Sequence, residues 1–101
     1  MKIVEVSTPH QKSKICEDIL RSLPEWFGIE SAILDYIQDV KSMKTWVIEI
    51  DSQVVGFISI KEHNSYSAEV YVMGILKEYH NFGYGRSLLE TAEKYLADKQ
   101  F

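Results

Sequence analysis

The stretch from Ala68 to Phe101, AEVYVMGILKEYHNFGYGRSLLETAEKYLADKQF, constrains this chain most. It reads as a strand, a tight turn and a helix. Tyr66 to Ile75 is rich in β-branched and aromatic residues, which suit a pleated, half-buried surface. Leu88, Leu89, Ala92, Tyr95 and Leu96 then recur at helical spacing. Between them His80-Asn81-Phe82-Gly83-Tyr84-Gly85 brings main-chain N–H groups to the start of a helix. Unpaired amides and the positive end of the helix dipole suit such a place to phosphate. Gly83 and Gly85 are expected to allow positive φ and to keep Cβ atoms away from an anion. Two other phosphate motifs are excluded. A P-loop needs Gly-Lys-Ser/Thr, but Gly85 is followed by Arg86-Ser87; a dinucleotide fingerprint needs a third glycine, where the chain has Leu88.

With these residues the chain resembles the GCN5-related N-acetyltransferases. That family carries Gln or Arg, two free positions, Gly, one free position, then Gly or Ala after its fourth strand. Here His80, Gly83 and Gly85 hold those places, so the first departs from the commonest residues. Tyr71-Val72-Met73-Gly74-Ile75 is similar to the fourth strand itself. The resemblance implies an N-acetyltransferase using acetyl-CoA and an amine acceptor, with no metal. It assigns cofactor binding to Met73, Gly74, Ile75, His80, Asn81, Phe82, Gly83, Tyr84, Gly85 and Arg86, largely through the backbone. A bulge near Met73–Ile75 would free an N–H to polarise the thioester carbonyl.

Ala68-Glu69 ahead of the strand resembles the histone-acetylating branch and makes Glu69 the candidate general base. On a regular strand Glu69 would share a face with Tyr71 and Met73. A solvated strand carboxylate is the plainer reading. Trp26, Phe27 and Tyr36 fall where the family places its acceptor wall, although large aromatics serve equally as core in a small domain. Cys16 lies on an apolar helix stripe and reads as packing rather than nucleophile. No tyrosine matches the family's usual general acid, so none is assigned.

Earlier in the chain Lys2–Ser7 reads as a first strand. Thr8-Pro9-His10-Gln11 reads as a helix start with a capping box, and the helix is expected to run to Leu23, before Pro24. Ala32, Ile33, Tyr36, Ile37 and Val40 mark a second helix. Thr45–Ile50 and Val54–Lys61 read as a hairpin around Asp51-Ser52-Gln53. The expected fold is α+β, a single domain of order β-α-α-β-β-β-α with a mixed, mainly antiparallel sheet flanked by helices. In the family a fifth strand, parallel to the fourth, would follow beyond Phe101. The chain is therefore expected to be an amino-terminal portion of the fold, and to form a homodimer through its exposed sheet edge or be marginally stable.

Length and composition fit this picture. A chain of 101 residues allows one modest core. A net charge of −4 argues against a general nucleic-acid partner, which would need clustered Lys and Arg. The single cysteine rules out an internal disulfide and suits a reducing cytoplasm. No apolar run reaches membrane-spanning length, so no membrane partner is expected. A non-catalytic CoA-binding or chain-pairing module is the alternative reading.

Overall fold

The computed structural model describes residues 1–99. Its elements follow the expected order: β1 (Lys2–Val6), α1 (Pro9–Arg21), α2 (Glu30–Asp39), β2 (Lys44–Ile50), β3 (Gln53–Asn64), β4 (Ser67–Ile75) and α3 (Tyr84–Asp98). Single 3-10 turns at Val40–Ser42 and Lys77–Tyr79 enter β2 and follow β4. The sheet has four strands in sequence order, and every neighbouring pair is antiparallel.

The helices divide between the two faces. Cys16, Ile19, Leu20 and Leu23 from α1 and its exit pack with Val47, Phe57 and Val72 on one face. Leu88 and Ala92 from α3 pack with Trp46, Ile48, Ile58 and Ile60 on the other. This alternation along β2 and β3 is the period-two pattern of a sheet covered on both sides. Thr45 and Ser59, both buried, share a 2.8 Å hydroxyl hydrogen bond across the strands, so neither polar group is stranded. Cys16 is fully buried, and burial pushes its thiol up to about 12, the behaviour of a packing residue.

Three local expectations are corrected. Helix α1 ends at Arg21, two residues before Leu23, because the amides of Ser22 and Leu23 close onto Ile19 and Leu20 in a final tight turn. Its capping box does not form: Thr8 sits at the N-cap in extended conformation without a side-chain bond. Thr8 and Gln11 are both exposed, so water satisfies the first amides at no cost. The hairpin turn is tighter than Asp51-Ser52-Gln53. Asp51 and Ser52 alone carry it, with φ of 51° and 67°, the mirror-image geometry that matches strand twist.

The placement of β4 matters most. It lies at one edge of the sheet, and its outer side has no strand beside it among the described residues. The register against β3 slips between Ser59 and Ile60, where Val72 and Val70 are the partners and Tyr71 is the surplus residue. This is a β-bulge, and it resets which side chains face which helix layer.

Candidate functional site

The strand–turn–helix forms as expected. Helix α3 begins at Tyr84, and Gly83 precedes it in the left-handed region with φ 81°. A side chain there would be strained whatever the space around it. Asn81 also takes a left-handed φ of 68°. Gly85 is different from the expectation: it is a helical residue. A Cβ there would rest in ordinary contact with Met73 Cε, 3.7 Å away, and Ile75 Cγ1, 3.9 Å away, so the fold itself leaves room for one.

The first intrahelical bond of α3 runs from Ser87 N–H to Gly83 C=O. Among the described residues, none of the six main-chain N–H groups from Asn81 to Arg86 donates to a protein acceptor, and no side chain caps the helix. Six free amides and a helix N-terminus converge on one turn, which fits the charge and donor needs of a diphosphate. Phe82 is 65% exposed beside them and stacks on Tyr84 at 5.7 Å between ring centroids.

Beside this turn a cleft of about 440 Å³ runs between the end of β4 and the α1–α2 loop. Met73, Gly74 and Ile75 form one wall; His80, Asn81, Gly83, Tyr84 and Gly85 form its floor; Trp26 and Phe27 face them. The cleft thus gathers most of the expected cofactor residues, while Phe82 and Arg86 lie outside its lining. Leu23 and Tyr79 also line it and were not singled out from sequence; only long-range packing brings them there.

The three strand residues behave differently from one another. Leu76 N–H donates to Val55 C=O on β3 at 2.8 Å, and no peptide bond is cis. The carbonyl of the same peptide, that of Ile75, therefore points away from the sheet. Alternation then turns the N–H and C=O of Met73 and the N–H of Ile75 to the open edge, and those of Gly74 towards β3. Gly74 is needed for a second reason: a Cβ would meet Ile19 Cγ2 at 3.0 Å and Phe57 at 3.4 Å. Its close approach is to α1. The bulge also lies upstream of the expected place, since Met73, Gly74 and Ile75 pair regularly with Ile58, Phe57 and Gly56.

His80 does more than lend its backbone. Its Nε2 is 2.6 Å from the outward Ile75 carbonyl, and the ring meets Trp26 edge-on at 5.4 Å. A carbonyl only accepts, so Nε2 carries the proton.

Glu69 is not brought into the cleft. It stands four residues before Met73, roughly 13 Å along the strand. The bulge breaks the expected common face. Met73 points to α3, whereas Tyr71 packs on Tyr36 at 5.4 Å and donates a short hydrogen bond to Asp39 on the opposite layer. Glu69 pairs with Lys61, whose ammonium lies 5.7 Å over the Tyr71 ring, so Glu69 shares the Tyr71 face alone. Its side chain is 58% exposed and lies 3.3 Å from His63 Nε2.

On that face Phe27, Tyr36 and Tyr71 form a chain of edge-to-face rings, with centroids 6.1 Å and 5.4 Å apart. Tyr36 reaches the cleft only through Phe27. The bond to Asp39, reinforced by burial, pushes the Tyr71 phenol up to about 12. The Tyr71–Asp39 pair links β4 to the end of α2; no local signal in the sequence announces it. Tyr95, by contrast, is held on the far layer by Glu62 and Lys99.

An antiparallel sheet between helical layers, with an amide-lined turn after its edge strand, defines an α+β domain whose last helix begins at a set of unpaired amides. The acetyltransferase (GNAT) family matches residues 12–101, and the chain belongs to that family. No curated protein matches it in sequence. Among solved structures, the PaiA N-acetyltransferase from Thermoplasma acidophilum in complex with coenzyme A is similar over 99% of this chain and 75% of its own, with 22% identity and a TM-score of 0.72. An aminoglycoside 6'-N-acetyltransferase complexed with coenzyme A gives 20% identity and a TM-score of 0.77 over 99% of this chain and 57% of its own. Tetrahymena GCN5 gives 16% identity and a TM-score of 0.76 over 98% of this chain and 65% of its own. These likenesses establish the fold. The chain spans 57% to 75% of the length of the first and second of these proteins.

Proposed function

We propose that this chain carries the acetyl-CoA-binding part of an N-acetyltransferase that passes the acetyl group directly to a primary amine. The observation that carries this is the run of six unpaired amides from Asn81 to Arg86 beside the cleft. In this reading the diphosphate rests on those amides. The pantetheine arm lies along the open edge of β4, where Met73 offers N–H and C=O and Ile75 offers N–H. An edge N–H polarises the thioester carbonyl as the acceptor nitrogen attacks its carbon, and the C–S bond then breaks to release the thiolate, which takes a proton from water. The acceptor enters past Trp26 and Phe27. A polyamine, a peptide amine and an aminoglycoside are the acceptor classes to compare.

Glu69 is proposed to take the acceptor's proton through water, since it stands on the Tyr71 face and outside the cleft. A lone buried thiol at Cys16 suits a cytoplasmic setting. The open outer side of β4 favours a second reading, a CoA-binding module that pairs with another copy along that edge. Calorimetric titration with coenzyme A tests the shared premise: saturable binding supports both readings, and no heat at millimolar ligand removes both. Thiol release from acetyl-CoA with an acceptor panel then separates transferase from module, and sedimentation reports the pairing.

A further inference from the structure

We infer that the side chain of His80 is a positioning residue for the phosphate turn, acting as a tether through the Ile75 carbonyl rather than as a cation on the ligand. This rests on the proposed acetyl-CoA site. Three features on different elements support it. The Ile75 carbonyl is the last outward carbonyl of an edge strand, and without His80 it would face only solvent or ligand. The Nε2–H bond at 2.6 Å closes a loop from Ile75 to His80, just before the first of the six free amides. Trp26, 56% exposed on the α1–α2 loop, meets the imidazole in a T-shaped contact, so the opposite wall of the cleft braces the same side chain.

Physically, the turn needs such an anchor. Its amides are free in order to bind, so they contribute nothing to holding the turn in place. Asn81 and Gly83 both sit at left-handed φ, where few local contacts fix the backbone. Apart from α3 and the exposed Lys77–Glu25 ion pair, the bonds that fix the segment are those of Tyr79 and His80 N–H to Leu76 and Lys77 C=O, together with the imidazole tether. The tether also consumes the Ile75 carbonyl, leaving Met73 N–H, Met73 C=O and Ile75 N–H as the edge groups open to a pairing partner.

A tether and a cation make opposite demands on replacement. Glutamine is neutral but keeps an N–H donor at similar reach; alanine removes the donor. In the full-length protein, coenzyme A is titrated into wild type, His80→Gln, His80→Ala and Trp26→Ala, with backbone order parameters measured on each protein without ligand. Expected are a roughly fivefold weaker Kd for His80→Ala, the worth of one hydrogen bond, near wild-type binding for His80→Gln, and a smaller loss for Trp26→Ala. The amides of Asn81 to Gly85 are expected to become mobile in His80→Ala and to stay ordered in His80→Gln. If His80→Gln binds as weakly as His80→Ala with an ordered turn, the histidine acts through charge and the tether is wrong. An ordered turn and unchanged binding in His80→Ala also overturn it. Wild type that fails to bind coenzyme A removes the cosubstrate reading, while the order parameters still decide the tether.

Discussion

The two ends of β4 are built on opposite plans. At its carboxyl end, from Met73 into the turn, unpaired main-chain groups dominate: six free amides, an open strand edge and a glycine at left-handed φ. At its amino end the chemistry sits on side chains, with Glu69 beside His63 and Tyr71 bonded to Asp39. The bulge at Tyr71 lies between the two. Main-chain recognition depends on backbone shape and tolerates wide exchange of side chains. Side-chain chemistry depends on register and is remade by one slipped residue.

Substitutions at the two ends should therefore separate stability from ligand binding, and the largest effect is expected where backbone and packing coincide. Gly74→Val pushes a branched side chain into Ile19 and Phe57 and should destabilise the fold by about 3 kcal/mol, read by denaturant unfolding. The Cβ added by Gly83→Val meets no neighbour within 4 Å, so the left-handed backbone is its main cost, about 1–2 kcal/mol. Its effect on coenzyme A affinity should be the greater, tenfold or more, because the strained turn relaxes away from its amide geometry. Equal binding by Gly83→Val and wild type would break the contrast between the two ends.

Tyr71→Phe should cost about 1 kcal/mol by loss of the bond to Asp39. The phenol's ordinary value is near 10 and the fold raises it to about 12, so the neutral form is favoured in the folded state. That contribution is fully present below pH 10 and is lost as pH rises through 12. Wild type should lose stability faster than Tyr71→Phe between those limits, measured as the difference between the two unfolding curves. The smallest effect is expected at Glu69→Gln, below about 0.5 kcal/mol, since an exposed pair with His63 is worth little. Its rate effect sharpens the comparison: a fall of about a hundredfold at neutral pH marks a general base, and an unchanged pH–rate profile marks a solvated carboxylate.

The carboxyl end of β4 was legible in the sequence because its signals are local. A glycine at a forced φ, a helix start and a hydrophobic strand lie within some twenty residues. Even so, the two glycines differ: Gly83 takes the left-handed backbone angle, whereas Gly85 is an ordinary helical residue lying against Met73. The amino end was not legible in the same way. Glu69, Tyr71 and Met73 alternate on paper, and only pairing with Ser59 and Ile60 reveals the surplus residue that separates their faces. Tyr71 and Asp39 are 32 residues apart, and His80 bonds a carbonyl whose direction is set by a neighbouring strand. Trp26 and Phe27 line the cleft, while Tyr36 stands one ring behind it.

The surplus residue in β4 has an evolutionary reading as well. A strand without it transmits parity along its whole length, so a one-residue insertion near Ser67 would swap inside for outside as far as the cleft. With the slip accommodated at Tyr71, the facing of the positions before it is uncoupled from that of Met73 and Ile75. Descendants of this scaffold can thus vary one half-strand at a time, leaving the amide-lined turn untouched.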